Sequence, residues 1–197
     1  MLIERFIPDP DFVEIRELEI DAVPEEVMAV IRGTDLRDPV ISTLFAVRDL
    51  PNRVARRLGG GRDDRREVSF TNIPDVGPGW VKLAEEEGRE LVLGAVGRFW
   101  HRDYGARDVA AEDFAGFDEP GYLKLAVGSR VEPLGYDHSR LHYEARVEAT
   151  SAGAARRFRR YWRVIQPGNE VIVRRALQRI KAEAEWRECL TGALADR

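Results

Sequence analysis

Ser151-Ala-Gly-Ala-Ala-Arg-Arg-Phe-Arg-Arg-Tyr-Trp-Arg-Val-Ile-Gln166 is the stretch that decides how the rest of the chain must be arranged. Ala154, Phe158, Tyr161, Trp162 and Ile165 recur at spacings of four, three, one and three, which puts them on one face of a helix. Ser151 is a candidate N-cap, because its hydroxyl can accept from a free amide of the first turn. The arginines between the apolar positions fall on the other faces and read as a solvated surface. Pro167-Gly168-Asn169 then interrupts, since proline lacks an amide donor and crowds the preceding turn. A second helical run follows, with Val173, Leu177, Ile180 and Ala184 on one stripe. One kinked rod and two separate helices are both open at this point. Two amphipathic segments closing a strand-rich chain need a sheet to lie on.

The strands precede them. Residues 139–149 alternate cleanly, with Leu141, Tyr143, Ala145, Val147 and Ala149 on one side and Arg140, His142, Glu144, Arg146 and Glu148 on the other. A sheet with one wet face is antiparallel. Residues 121–132 repeat the pattern through Leu123, Leu125, Val127, Ser129 and Val131. Residues 80–85 and 89–100 read as a hairpin turning at Glu87-Gly88, with Leu91, Leu93, Ala95, Gly97 and Phe99 inward and Trp100 outward. Gly94 and Gly97 predict a bend or a close approach to the sheet. Residues 12–20 form a first strand buried on one side. Asp21-Ala-Val-Pro-Glu-Glu-Val27 then turns into a helix, with Pro24 at its first position and two glutamates complementing its dipole. Residues 36–58 read as two short helices, 59–66 as a glycine-rich loop and 67–73 as a further strand. The loop lacks the Lys-Ser or Lys-Thr of a phosphate-binding loop.

Composition narrows the function classes. The 197 residues suit one domain, taken as residues 1–197, and 44% hydrophobic with 34% charged residues describes a folded globular chain. A net charge of −4 offers nothing that attracts phosphate, so no nucleic-acid partner is expected. The single cysteine, Cys189, excludes an intrachain disulfide and a cysteine metal cluster. His101, His138 and His142 lack the spacing of a zinc site. No metal and no cofactor is expected. The N-terminus has no signal-peptide pattern and no window has the length of a membrane span, so the expectation is a cytoplasmic protein.

The strand ending in Asp21-Ala-Val-Pro-Glu-Glu-Val27 resembles the opening of the SRPBCC superfamily, the START-like, polyketide-cyclase-like helix-grip proteins. Where members commonly carry an aromatic, this chain has Met28. The long helical segment after the last strand is the second mark of that superfamily. Phe158-Arg-Arg-Tyr-Trp-Arg-Val-Ile-Gln-Pro-Gly168 is similar to an uncharacterised bacterial branch of it. The resemblance implies an α+β helix-grip fold: a curved antiparallel β-sheet wrapped around a long C-terminal helix, with short helices after the first strand. It also implies an apolar small-molecule ligand, lipid or polyketide-like, held between sheet and helix.

The inward face mixes bulky groups with small ones (Ala95, Gly97, Ser129, Ala145), which is how a hollow is left in a core. Leu93, Phe99, Tyr122, Leu125, Tyr143, Phe158 and Trp162 are the candidate ligand-binding residues. Tyr143 is the best placed polar tip, and Tyr122 stands with His101, Tyr104 and Asp118 near a mouth. No nucleophile with its base is visible, so no catalytic residue is assigned. A cofactor-independent cyclase or dehydratase, and an interaction protein with a filled core, remain the alternatives. The sequence does not set the oligomeric state.

Overall fold

The computed structural model describes residues 1–33, 79–101 and 105–195. The two helices expected over 36–58, the glycine-rich loop, the strand over 67–73 and Tyr104 lie outside them. A 3-10 turn over Leu2–Arg5 leads into β1 (Phe12–Ile20) and α1 (Pro24–Gly33). The hairpin β2 (Trp80–Glu86) and β3 (Glu90–Gly97) follows, then the single turn α2 (Ala111–Phe114). The chain closes with β4 (Leu123–Pro133), β5 (Ser139–Ala149) and α3 (Ala152–Ala195). The described strands form one antiparallel sheet in the order β1-β5-β4-β3-β2. The architecture is the α+β helix grip: a curved antiparallel sheet with a 44-residue helix across it.

That helix does not stop at Pro167. It runs through the proline without a break, so the expected interruption is a single lost backbone bond inside one rod. The bond lost is the one a residue 167 amide would give to the Arg163 carbonyl. Both residues are exposed, so solvent can take over the freed carbonyl. Packing on either side holds the rod in place. Ala154 and Phe158 bury in a cluster with Leu123 and Val147, joined by the partly buried Phe12, Leu125 and Trp162. Val173, Leu177, Ile180 and Ala184 bury with Ile20, Val27, Met28, Val30, Leu91, Val131 and Leu141. The cap is as the sequence predicts, with the Ala154 amide donating to the Ser151 hydroxyl at 3.2 Å.

The face of the sheet turned away from α3 is not simply wet. The N-terminal 3-10 turn and α2 cover part of it, burying Ile3, Ile7, Val92, Val96, Phe114 and Ala126 in a third cluster. The charged residues beneath are paired, as burial of charge requires. Lys124 meets Glu148 at 3.0 Å and donates to the Ala115 carbonyl at 3.0 Å. Arg146 holds Glu144 at 2.7 Å, and the Glu90 carboxylate accepts from the Leu2 amide at 2.7 Å. Gly94 lies under this cover. A Cβ there would stand 2.6 Å from Leu83 and 2.8 Å from Phe114, which is the close approach its glycine predicts.

Candidate ligand-binding site

Strand register arranges the helix-facing residues into rows across the sheet. Leu18, Leu141 and Val131 form one row, and Phe12, Val147, Leu125 and Ala95 form another. Two rows lie between them. Arg16 pairs with Tyr143 and Tyr143 with Ser129; Glu14 pairs with Ala145, Ala145 with Val127 and Val127 with Leu93. The flanking Leu141, Val131, Val147 and Ala95 are buried. By contrast Leu93, Val127, Ser129, Tyr143 and Ala145, on the three inner strands, all keep accessible surface.

The helix above shows the same break in packing. Phe158 and Val173 are buried, while Tyr161, Trp162, Ile165, Gly168, Asn169 and Ile172 are only partly so. Ile165, Gly168, Asn169 and Ile172 share one face by helical spacing. Asn169 marks that face as the one turned to the sheet, since its amide donates to the Glu14 carboxylate at 2.8 Å. At Gly168 a Cβ would meet no atom of the described residues within 4 Å. Among the described residues, the middle rows and the middle of the helix are thus the less completely buried part of the seam between them.

One end of that space is aromatic. Phe12 meets Phe158 edge-on with ring centroids 4.9 Å apart, and Phe158 lies 5.6 Å from Trp162. Phe99 and Trp100 join them. The strand alternation predicted Trp100 on the opposite face, but β3 ends at Gly97 and the chain turns, bringing both aromatics to the helix side. The Trp100 indole N–H is buried without a hydrogen-bond partner.

The other end is polar. Arg16 stands 3.1 Å from Glu14 and 3.8 Å from Glu170 of the helix. Burial, and secondarily the charge of Glu14, push the Tyr143 phenol well above its ordinary value of 10.0, with Arg16 opposing. Among the described residues neither the Tyr143 nor the Ser129 hydroxyl has a hydrogen-bond partner. Tyr143 is thus desolvated, with its hydroxyl unpaired among the described residues.

Of the seven residues expected at the site, Phe99, Leu125, Phe158 and Trp162 come together at the aromatic end. Leu93 and Tyr143 lie against the central cluster beside it. Tyr122 does not join them. It precedes the first residue of β4, and alternation turns it to the opposite face, where Phe117 packs edge-on at 5.8 Å and Arg98 sits 4.3 Å over the ring. His101 is exposed, and His142 pairs across strands with Glu17 at 3.2 Å on the outer face. Glu14, Arg16, Gly168, Asn169 and Trp100 are the site residues that the sequence reading passed over. Two concavities have described residues in their lining. One of ≈ 490 Å³ lies between α1 and the Arg179, Glu183 and Trp186 side of α3; one of ≈ 220 Å³ lies on the outer face beside Glu17 and His142. Among the described residues no group of acidic, histidine and cysteine side chains could hold a metal ion, and no helix is long and apolar enough to cross a membrane.

No family model matches the chain, and no curated protein matches it. Several solved structures are similar in outline. A protein from Arthrobacter aurescens is 15% identical with a TM-score of 0.42, over 87% of this chain and 85% of that one. CalU16 from Micromonospora echinospora is 16% identical with a TM-score of 0.30, over 90% and 86%. A norcoclaurine synthase point mutant from Thalictrum, in complex with a transition-state analogue, is 13% identical with a TM-score of 0.36, over 88% and 93%. The helix-grip assignment rests on the sheet order and the helix across it.

Proposed function

We propose that the chain is a START-like helix-grip domain spanning residues 1–197 that binds an apolar small molecule, lipid or polyketide-like, between the sheet and α3. The observation that carries this is the partly accessible group Leu93, Val127, Ser129, Tyr143 and Ala145 at the centre of the sheet, with Gly168 on the helix, where a Cβ would meet no described atom within 4 Å. Cores pack to the density of organic crystals, so a hollow in the middle of one calls for an occupant. Its lining, aromatic at one end with a few polar groups at the other, has the make-up of a small-molecule site. Leu93, Phe99, Leu125, Tyr143, Phe158 and Trp162 are its walls in this reading.

The test has two arms. Native mass spectrometry of the purified protein, followed by denaturing extraction, should reveal a co-purified apolar molecule. In parallel, the neutral fluorophore N-phenyl-1-naphthylamine should bind saturably, and Gly168→Leu should abolish that binding by filling the space. The same substitution should hold or raise the melting temperature, because leucine favours a helix over glycine by roughly 0.8 kcal/mol. Unchanged binding in a stable Gly168→Leu variant would place the ligand elsewhere or remove it. A cofactor-independent cyclase or dehydratase is the second reading, favoured by the Glu14 carboxylate beside Tyr143. Conversion of the co-purified molecule on incubation would select it.

A further inference from the structure

The polar end of the space says what the ligand must carry there, if the ligand-binding reading above holds. Ser129 and Tyr143 are directly paired across β4 and β5, and side chains so paired stand about 5 Å apart at Cβ. Both hydroxyls lack protein partners among the described residues. A carbonyl oxygen is an acceptor only, so either hydroxyl can donate to it. The charges beside them are unequal. Arg16 is shared between Glu14 and Glu170, at 3.1 Å and 3.8 Å, so two carboxylates face one guanidinium and the local balance is negative. The Glu14 oxygens are held by Arg16 on one side and by the Asn169 amide at 2.8 Å on the other, which fixes the carboxylate within the seam. Glu170 is exposed, but the Glu14 side chain is only 14% exposed, so a ligand carboxylate would meet the Glu14 charge with less screening than at a free surface.

We infer that the Tyr143 hydroxyl, in the row it shares with Ser129, holds a neutral carbonyl oxygen of the ligand, ketone, ester or amide, and that Glu14 turns away carboxylates. The ligand class is therefore apolar ring or chain systems bearing a neutral carbonyl, in preference to free fatty acids. The phenol, held protonated by its surroundings, remains a donor throughout the neutral range.

The probes are 2-acetylnaphthalene and 2-naphthoate, matched in ring and length and differing in charge, titrated calorimetrically at pH 7. The ketone should bind about ten-fold or more tightly than the carboxylate. Tyr143→Phe should weaken the ketone about three- to ten-fold, the effect of one hydrogen bond. It should leave the melting temperature unchanged, because no protein acceptor loses its donor. Glu14→Gln should narrow the gap between the two probes. If 2-naphthoate binds as tightly as the ketone, or Tyr143→Phe leaves the ketone's affinity unchanged, the inference falls while the binding function stands. If neither probe binds and Gly168→Leu also changes nothing, both fall together.

Discussion

Tyr143 faces a carboxylate and a guanidinium from the strand beside it, and its burial outweighs both. This has a consequence in alkali. The unfolded chain releases the phenolic proton near its ordinary value of 10.0, whereas the folded chain keeps it to higher pH. The unfolded state then binds fewer protons, so stability must decline as pH rises above that value. Below it the contribution is fully present. Chemical denaturation of the wild type and of Tyr143→Phe between pH 8 and 11 should therefore agree at the lower end and diverge at the upper end, with the wild type losing more. Parallel curves would mean that the phenol is freely solvated. The residue itself was legible from the alternation of β5, where it shares parity with Leu141 and Val147. Glu14 and Arg16 were not. Phe12, Leu18 and Ile20 share their parity, but Val13 and Ile15 argue for the other face, so hydropathy alone does not separate the two sides. The structure leaves Val13 and Ile15 each 48% exposed, because the packing of Phe12 on Phe158 and of Ile20 on the α1 cluster decides which way the strand turns.

The helix α3 carries its weak point in its middle. A proline inside a helix costs about 3 kcal/mol relative to alanine, part of it through the lost bond to Arg163. Two residues on, Asn169 ties the rod to β1 through Glu14, and Glu170 approaches Arg16. The sheet thus grips the helix next to the turn that grips itself least. Pro167→Ala should raise stability by about 1–3 kcal/mol in chemical denaturation. A loss instead would mean that a bend at the proline is required for the two halves to reach their separate clusters. Both apolar stripes and the Ser151 cap were readable in the sequence, since helical period and capping are local properties. Continuity through Pro167 was not readable, because it is decided by contacts with strands more than a hundred residues away, and such contacts override local propensity. The cover on the outer face was hidden for a similar reason. The alternation of Lys124, Glu144 and Arg146 with apolar residues looks like a solvated face, and only the return of residues 1–7 and the turn α2 with Ala115 after it buries those charges.

At the scale of the molecule, β1 pairs with β5 and α1 packs on the far half of α3, so the first and last described elements complete each other. A chain ending at Gln166 keeps the aromatic end but loses Val173, Leu177, Ile180 and Ala184, and with them the cover of Val27, Met28 and Val30. It should show no cooperative melting transition and should bind an apolar dye through exposed core, and a sharp transition with native-like near-ultraviolet dichroism would refute this.

The same closure bears on synthesis. While the chain is being made, strands β1 to β5 emerge first, and the part of their concave side that α3 covers waits until its 44 residues have followed. At about 5–20 residues per second that is roughly 2–9 seconds. Throughout it, the apolar rows that will later grip the helix are open to any passing hydrophobic surface. An unfinished chain is therefore the aggregation-prone form of this protein, and the last turns of its own helix are what end that exposure.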